Sequence, residues 1–135
     1  MIILTNSSSL TLGPGQSATF DTVLLHTGCA ECFRPGSGTV ILTAPNAIYD
    51  ISAGGNIGST TVGNANLTVF LNGSPMSETS MNSATAAVGD TNSVSRETGV
   101  RTCCCKNVSE AVTLTNNGDT TIVLENPLLK IRRVA

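Results

Sequence analysis

The chain has 135 residues, enough for one domain with its own core and with little room for a second. Only 12% of them are charged, against about 25% in an average soluble protein, while 40% are hydrophobic and 3% aromatic, so part of the surface is expected to be covered by something other than water. The net charge is −2 and the seven Lys and Arg residues are dispersed apart from Lys130, Arg132 and Arg133, which leaves no basic face for nucleic acid.

At the N-terminus, MIILTNSSSL has neither the positive start nor the long apolar run of a secretory signal, and nothing in the chain approaches the roughly 20 apolar residues of a membrane helix. A protein made in the cytoplasm, with no membrane partner, is therefore expected. On that expectation the glycosylation sequons at Asn6, Asn66, Asn72 and Asn107 carry no weight. Alternation of period two dominates throughout, and no long segment holds a helical period. Residues 2–5 and 9–12 are predicted short strands before a Gly13-Pro14-Gly15 corner, and residues 16–26 a strand with Ala18, Phe20, Val23 and Leu25 inward. Residues 27–38, bearing Gly and Cys, read as an irregular loop.

Strands at 39–43 and 48–53 are separated by Ala44-Pro45-Asn46-Ala47, a turn whose proline presets φ. The segment 64–71 places Leu67, Val69 and Leu71 on one face and Thr68 and Phe70 on the other, and Asn72-Gly73 ends it. Residues 74–99, rich in Ser, Thr, Asn and Ala, read as one or two edge strands or a long surface excursion, and 100–106 as a strand. The C-terminal segment 111–135 reads as strand, tight hairpin at Asn116-Asn117-Gly118-Asp119, strand, Pro127-marked turn and final strand. In that last strand Leu129 and Ile131 are predicted buried, with an irregularity before Val134. About eight to ten short strands at this spacing predict an all-β fold, an antiparallel jelly-roll sandwich forming one domain over 1–135.

Five cysteines carry the chemistry the chain offers. Cys29 and Cys32 form a C-x-x-C, and Cys103, Cys104 and Cys105 are consecutive. If 100–106 is a strand, Cys103 and Cys105 share a face, and together with Cys29 and Cys32 they could form a four-cysteine zinc site, although one residue between the second pair of ligands is not the usual spacing. Disulfides and buried thiols acting as small hydrophobes stand beside that reading. No other cofactor is indicated.

His26 is the sole histidine and reads as a surface residue at a strand end. No Gly-x-Ser-x-Gly elbow occurs, and the carboxylates are spread singly along the chain, so no catalytic set is indicated and the chain is expected not to be an enzyme. Gly54-Gly55-Asn56-Ile57-Gly58 resembles half a phosphate loop but precedes no helix, so turn chemistry is the expected use of these glycines.

The block GTVILTAPNAIYDISAGGNIG (residues 38–58), followed by ANLTVFLNGSPM (65–76) and the ending NNGDTTIVLENPLLKIRRVA, resembles the tumour-necrosis-factor-like jelly rolls of bacterial and phage type. The resemblance implies a homotrimer associating through one sheet, and the low charge agrees with a protomer that buries one sheet face in its core and another against neighbours. The chain has no collagen-like stalk, which argues against an exosporium filament. A phage capsid decoration (cement or head-fibre) protein is the expected function: a structural virion protein on the capsid surface, assembled in the host cytoplasm, with the major capsid protein as partner. Ile2, Ile3 and Leu4 are the expected docking or trimer-knitting segment. The alternatives are a spore-surface protein or a receptor- or glycan-binding jelly-roll module using the 74–99 loops. The module is disfavoured because sugar sites use aromatic platforms and this chain has only Phe20, Phe33, Phe70 and Tyr49.

Overall fold

Apolar residues recurring at every second position can be buried only if strands pair into sheets and the sheets stack, and this is the arrangement the chain adopts. A computed structural model describes residues 1–61, 63–85, 87–104 and 109–135. The first half forms β1 (Ile2–Thr5), β2 (Leu10–Leu12), β3 (Thr22–His26), β4 (Glu31–Phe33), β5 (Val40–Leu42) and the long β6 (Ile48–Ser59). The second half forms β7 (Gly63–Leu71), β8 (Ser74–Pro75), β9 (Met81–Thr85), β10 (Thr91–Arg101), β11 (Glu110–Asn116) and β12 (Ile122–Arg133), with one 3₁₀ turn at Ser77–Thr79.

The first sheet has the order β10-β6-β12-β1-β3, and β2 pairs with the start of β12. The second has the order β4-β5-β11-β7-β8, and β9 pairs with β7. Both are antiparallel, and together they make the jelly-roll sandwich expected from the sequence. Ile2, Leu4, Ile51, Ile57, Leu129 and Ile131 of the first sheet meet Val40, Leu42, Leu67, Val69, Val112 and Leu114 of the second in one fully buried core. Each such side chain is worth about 1.5–3 kcal/mol on burial. Tyr49 and Phe20 are the largest fully buried residues. The Tyr49 hydroxyl donates to the Ala30 carbonyl at 2.7 Å and accepts from the Ala44 amide at 3.2 Å, so the one buried phenol is satisfied.

The C-terminal hairpin does not form. β11 pairs with β5 and β7, whereas β12 pairs with β6, β1 and β2, so the Asn-Gly link carries the chain from one sheet to the other. Asn116 holds this crossover: its fully buried side chain donates to Leu12 O at 3.0 Å and Thr120 O at 2.8 Å and accepts from Gly118 N at 3.0 Å. The Pro127 turn is also not a turn but a bulge within one strand. Glu125 faces Asn56 and Leu128 faces Gly54, so Asn126 and Pro127 together oppose Gly55 alone, with Asn126 at φ 50. The extra residue shifts the parity of the strand, which lets Ile122 and Leu124 before it and Leu129 and Ile131 after it all face the core, while Val134 lies beyond the strand end and is exposed.

Four further expectations are corrected. Residues 27–38 contain β4, hidden because its inward residue is Glu31. Gly54, Gly55 and Gly58 lie inside β6 rather than in a turn. Val23 and Leu25 are exposed on the edge strand β3: a bulge leaves Leu24 as the extra residue, Leu25 stands opposite the outward Ile3, and Val23, although opposite Leu4, lies at the open edge of the sheet. The 100–106 strand ends at Arg101, since Thr102 turns in to donate through Oγ1 to Ala44 O at 2.6 Å and accept from Ala47 N at 2.9 Å.

Candidate interaction surfaces

The outer face of the second sheet follows from its register. Ile41 stands opposite Cys32 and Ala111, Phe70 opposite Thr113 and Pro75, and Thr115 opposite Thr68. These residues alternate with core residues and therefore point away from the core. Their hydroxyls are engaged within the face: Ser17 Oγ and Thr115 Oγ1 are 2.8 Å apart, Thr113 Oγ1 and Thr115 Oγ1 3.1 Å, and Thr68 Oγ1 donates to Asn66 Oδ1 at 2.6 Å. Thr68 and Thr115 are already buried beneath these contacts, so the half-buried Phe70, Ile41 and Thr113 are what the face presents.

Among the described residues, the strands of this sheet carry only two charged side chains, Glu31 and Glu110. Both flank Leu42 and share its inward parity, so neither reaches the outer face. Charge is sorted to the outer face of the other sheet, where Lys130 stands between Ile3 and Ser52, Glu97 opposite Ser52, and Arg132 pairs with Asp50 at 3.2 Å. Phe70, Thr68, Thr113 and Thr115 were absent from the sequence-based site residues. Their signal was present all the same, as outward positions of two well-alternating strands that never bear a charge.

A second apolar surface is the β3 edge, where Val23, Leu24 and Leu25 are 38%, 59% and 38% exposed. The bulge at Leu24 breaks the regular ladder an added strand would need, so this edge offers side chains rather than backbone.

The expected docking segment is corrected. Ile2 and Leu4 are fully buried in the core, held between β12 and β3, and only the half-buried Ile3 faces outward, so a free apolar terminus does not exist here. Cys29, Cys32, Cys103 and Cys104 are all exposed, which overturns their reading as buried hydrophobes, and Cys105 lies outside the described residues. Cys29, Cys32 and Cys104 carry free thiols, and no three His, Cys, Asp or Glu side chains among the described residues converge on a possible metal position. Cys103 and Cys104 follow β10 instead of lying in it, so the shared strand face assumed for Cys103 and Cys105 is lost. His26 ends β3, with Nε2 3.1 Å from Glu31 O.

No protein-family profile matches the sequence, and no curated protein matches it. Solved structures do. The PRD1 vertex protein P5 is similar over 96% of this chain and 92% of its own, at 17% identity and a TM-score of 0.53. The CBM35 from Cellvibrio japonicus Abf62 aligns over 98% of both chains at 11% identity and a TM-score of 0.46. At these values the first likeness shows the fold, and the second carries no argument.

Proposed function

We propose that this chain is a structural, self-associating protein of a virus particle: a homotrimeric jelly roll, of the tumour-necrosis-factor-like type, that decorates the outer surface of a phage capsid. The observation that carries the reading is the charge-free outer face of the second sheet, which suits a buried contact between copies of the chain. The likeness to a vertex protein supports a place on a virion. The β3 edge, rather than Ile2 and Leu4, is then the surface offered to the major capsid protein. Three weak contacts held by one trimer act together, so the assembly is held far more tightly than any single contact would hold it.

The test is solution mass. The protein is expected to run at about 41 kDa, three times its 13.8 kDa, and Phe70→Glu to reduce it to the monomer because a carboxylate would be buried without a partner. A monomeric mass for the unaltered chain at micromolar concentration would overturn the proposal.

A further inference from the structure

On the outer face of the first sheet, β6, β10 and the bulge of β12 enclose an open groove of about 620 Å³. Its floor is glycine backbone. A Cβ on Gly54 would stand 2.5 Å from Val94 O and 3.1 Å from Ser95 Cβ, so a side chain there would collide and the groove face of β6 stays bare at this position; a Cβ on Gly55 would instead meet Leu124 Cδ1 of the core at 2.8 Å. The walls are Ser52 of β6, Ser95, Arg96 and Glu97 of β10, and Asn126 and Leu128 of the bulge.

The polar groups of these walls are uncommitted. Ser52, Ser95, Arg96, Glu97 and Asn126 make no side-chain hydrogen bond with any described residue. Asn56 accepts at Oδ1 from Ser93 Oγ at 2.6 Å and keeps its amide donors unused. The groove therefore offers hydroxyls, amides and the Glu97 carboxylate, with Leu128 as an apolar contact, while Arg96, opposite Ala53, has the other parity. An anionic ligand would be repelled by Glu97, and an apolar segment would strip water from at least five polar groups and satisfy none of them. A ligand whose vicinal hydroxyls each donate and accept, and whose ring C–H face packs on Leu128 where other sugar sites use an aromatic ring, matches these groups, and the missing aromatic platform limits it to weak, polar binding.

We propose that the groove over Gly54 and Gly55 is a binding site for a neutral carbohydrate chain. It is formed by β6, β10 and the β12 bulge, not by the 74–99 loops as a whole. It also lies on the sheet opposite Phe70, so it remains open in the trimer and its fate is independent of that assembly.

The test is titration of the full-length protein with maltotriose, cellotriose and chitotriose, followed by the amide resonances of Gly54, Gly55 and Ser95. At least one sugar is expected to shift these amides with millimolar affinity, Glu97→Gln to weaken that binding by about tenfold, and Ser95→Trp to abolish it by filling the groove. Because Ser95 is exposed on an edge strand, both variants are expected to melt as the unaltered protein does, which separates lost binding from lost fold. No shift with any of the three at about 20 mM, shifts confined to another surface, or unchanged affinity in Ser95→Trp would overturn the proposal.

Discussion

Leu128 and Leu129 are adjacent, chemically identical and separated in fate by the bulge that precedes them, so truncating each in turn tests the architecture of β12. Leu129 is fully buried between Leu4 of β1 and Ala53 of β6, whereas Leu128 is 40% exposed between Thr5 and Gly54. Leu129→Ala removes three carbons, about 2.4 kcal/mol of transfer free energy at roughly 0.8 kcal/mol per methylene. It also leaves a cavity that Ala53 is too small to fill and that Leu4, already fully buried, is not free to enter, which places the total at about 4 kcal/mol. With an unfolding entropy of about 2.1 cal/mol/K per residue, that loss lowers Tm by about 14 °C for a chain of 135 residues. Leu128→Ala is expected to cost under about 1 kcal/mol, or roughly 3 °C. Calorimetry at one fixed protomer concentration compares the two, since the melting of an oligomer depends on concentration. Equal melting temperatures, or Leu128→Ala the less stable, would mean that β12 runs in the other parity and that the bulge is misplaced.

Asn116→Ala strands Leu12 O, Thr120 O and Gly118 N around a fully buried position and is expected to cost about 2–4 kcal/mol, read as a lower urea midpoint; an unchanged midpoint would show that the crossover is held by other contacts. Asp21 accepts from the Ser7 hydroxyl at 2.6 Å, the Ser7 amide at 3.0 Å and Thr22 Oγ1 at 2.8 Å, which hold its pKa below the ordinary 3.8. A lowered folded-state pKa stabilises above the unfolded value and is lost as pH falls through the folded one, so the tie between residues 7 and 21 is expected to release only below pH 3.8; an NMR titration midpoint for Asp21 at or above 3.8 would contradict this. Cys29, Cys32 and Cys104 are expected to react with a thiol reagent in the native protein, at the same rate with and without a chelator; protection lifted by chelator would restore the zinc reading, and protection lifted by reductant the disulfide reading.

Much of the fold is legible along the chain because alternation is a local property. Ala18 and Phe20, Leu67 and Val69, and Leu129 and Ile131 each announce an inward face by their spacing, and all are buried, whereas the burial of Ile2 and Leu4 runs against their reading as a docking segment. Strands without that pattern are less legible: β4 is hidden because it turns a glutamate inward, and β10 is the edge strand that the reading of 74–99 leaves open beside a surface excursion, because its Ser, Thr and Asn side chains have almost no core to face. The cysteines misled for a related reason, since spacing along a strand carries meaning only if the strand continues, and Thr102 ends β10 by bonding to a turn far back in the sequence.

Composition and alternation thus determined an all-β protein with a large uncharged surface, because the burial of every second side chain and the scarcity of charge are properties of the chain itself. Only the tertiary structure decided which sheet each strand joins. The Asn-Gly link reads along the chain as a hairpin, and the crossover it makes instead rests on Asn116 reaching Leu12 from the other end of the chain. It likewise decided that the uncharged residues share one outer face and that two glycines inside a strand form the floor of a groove. Faces and grooves are made by register between distant strands, and no local pattern encodes that register.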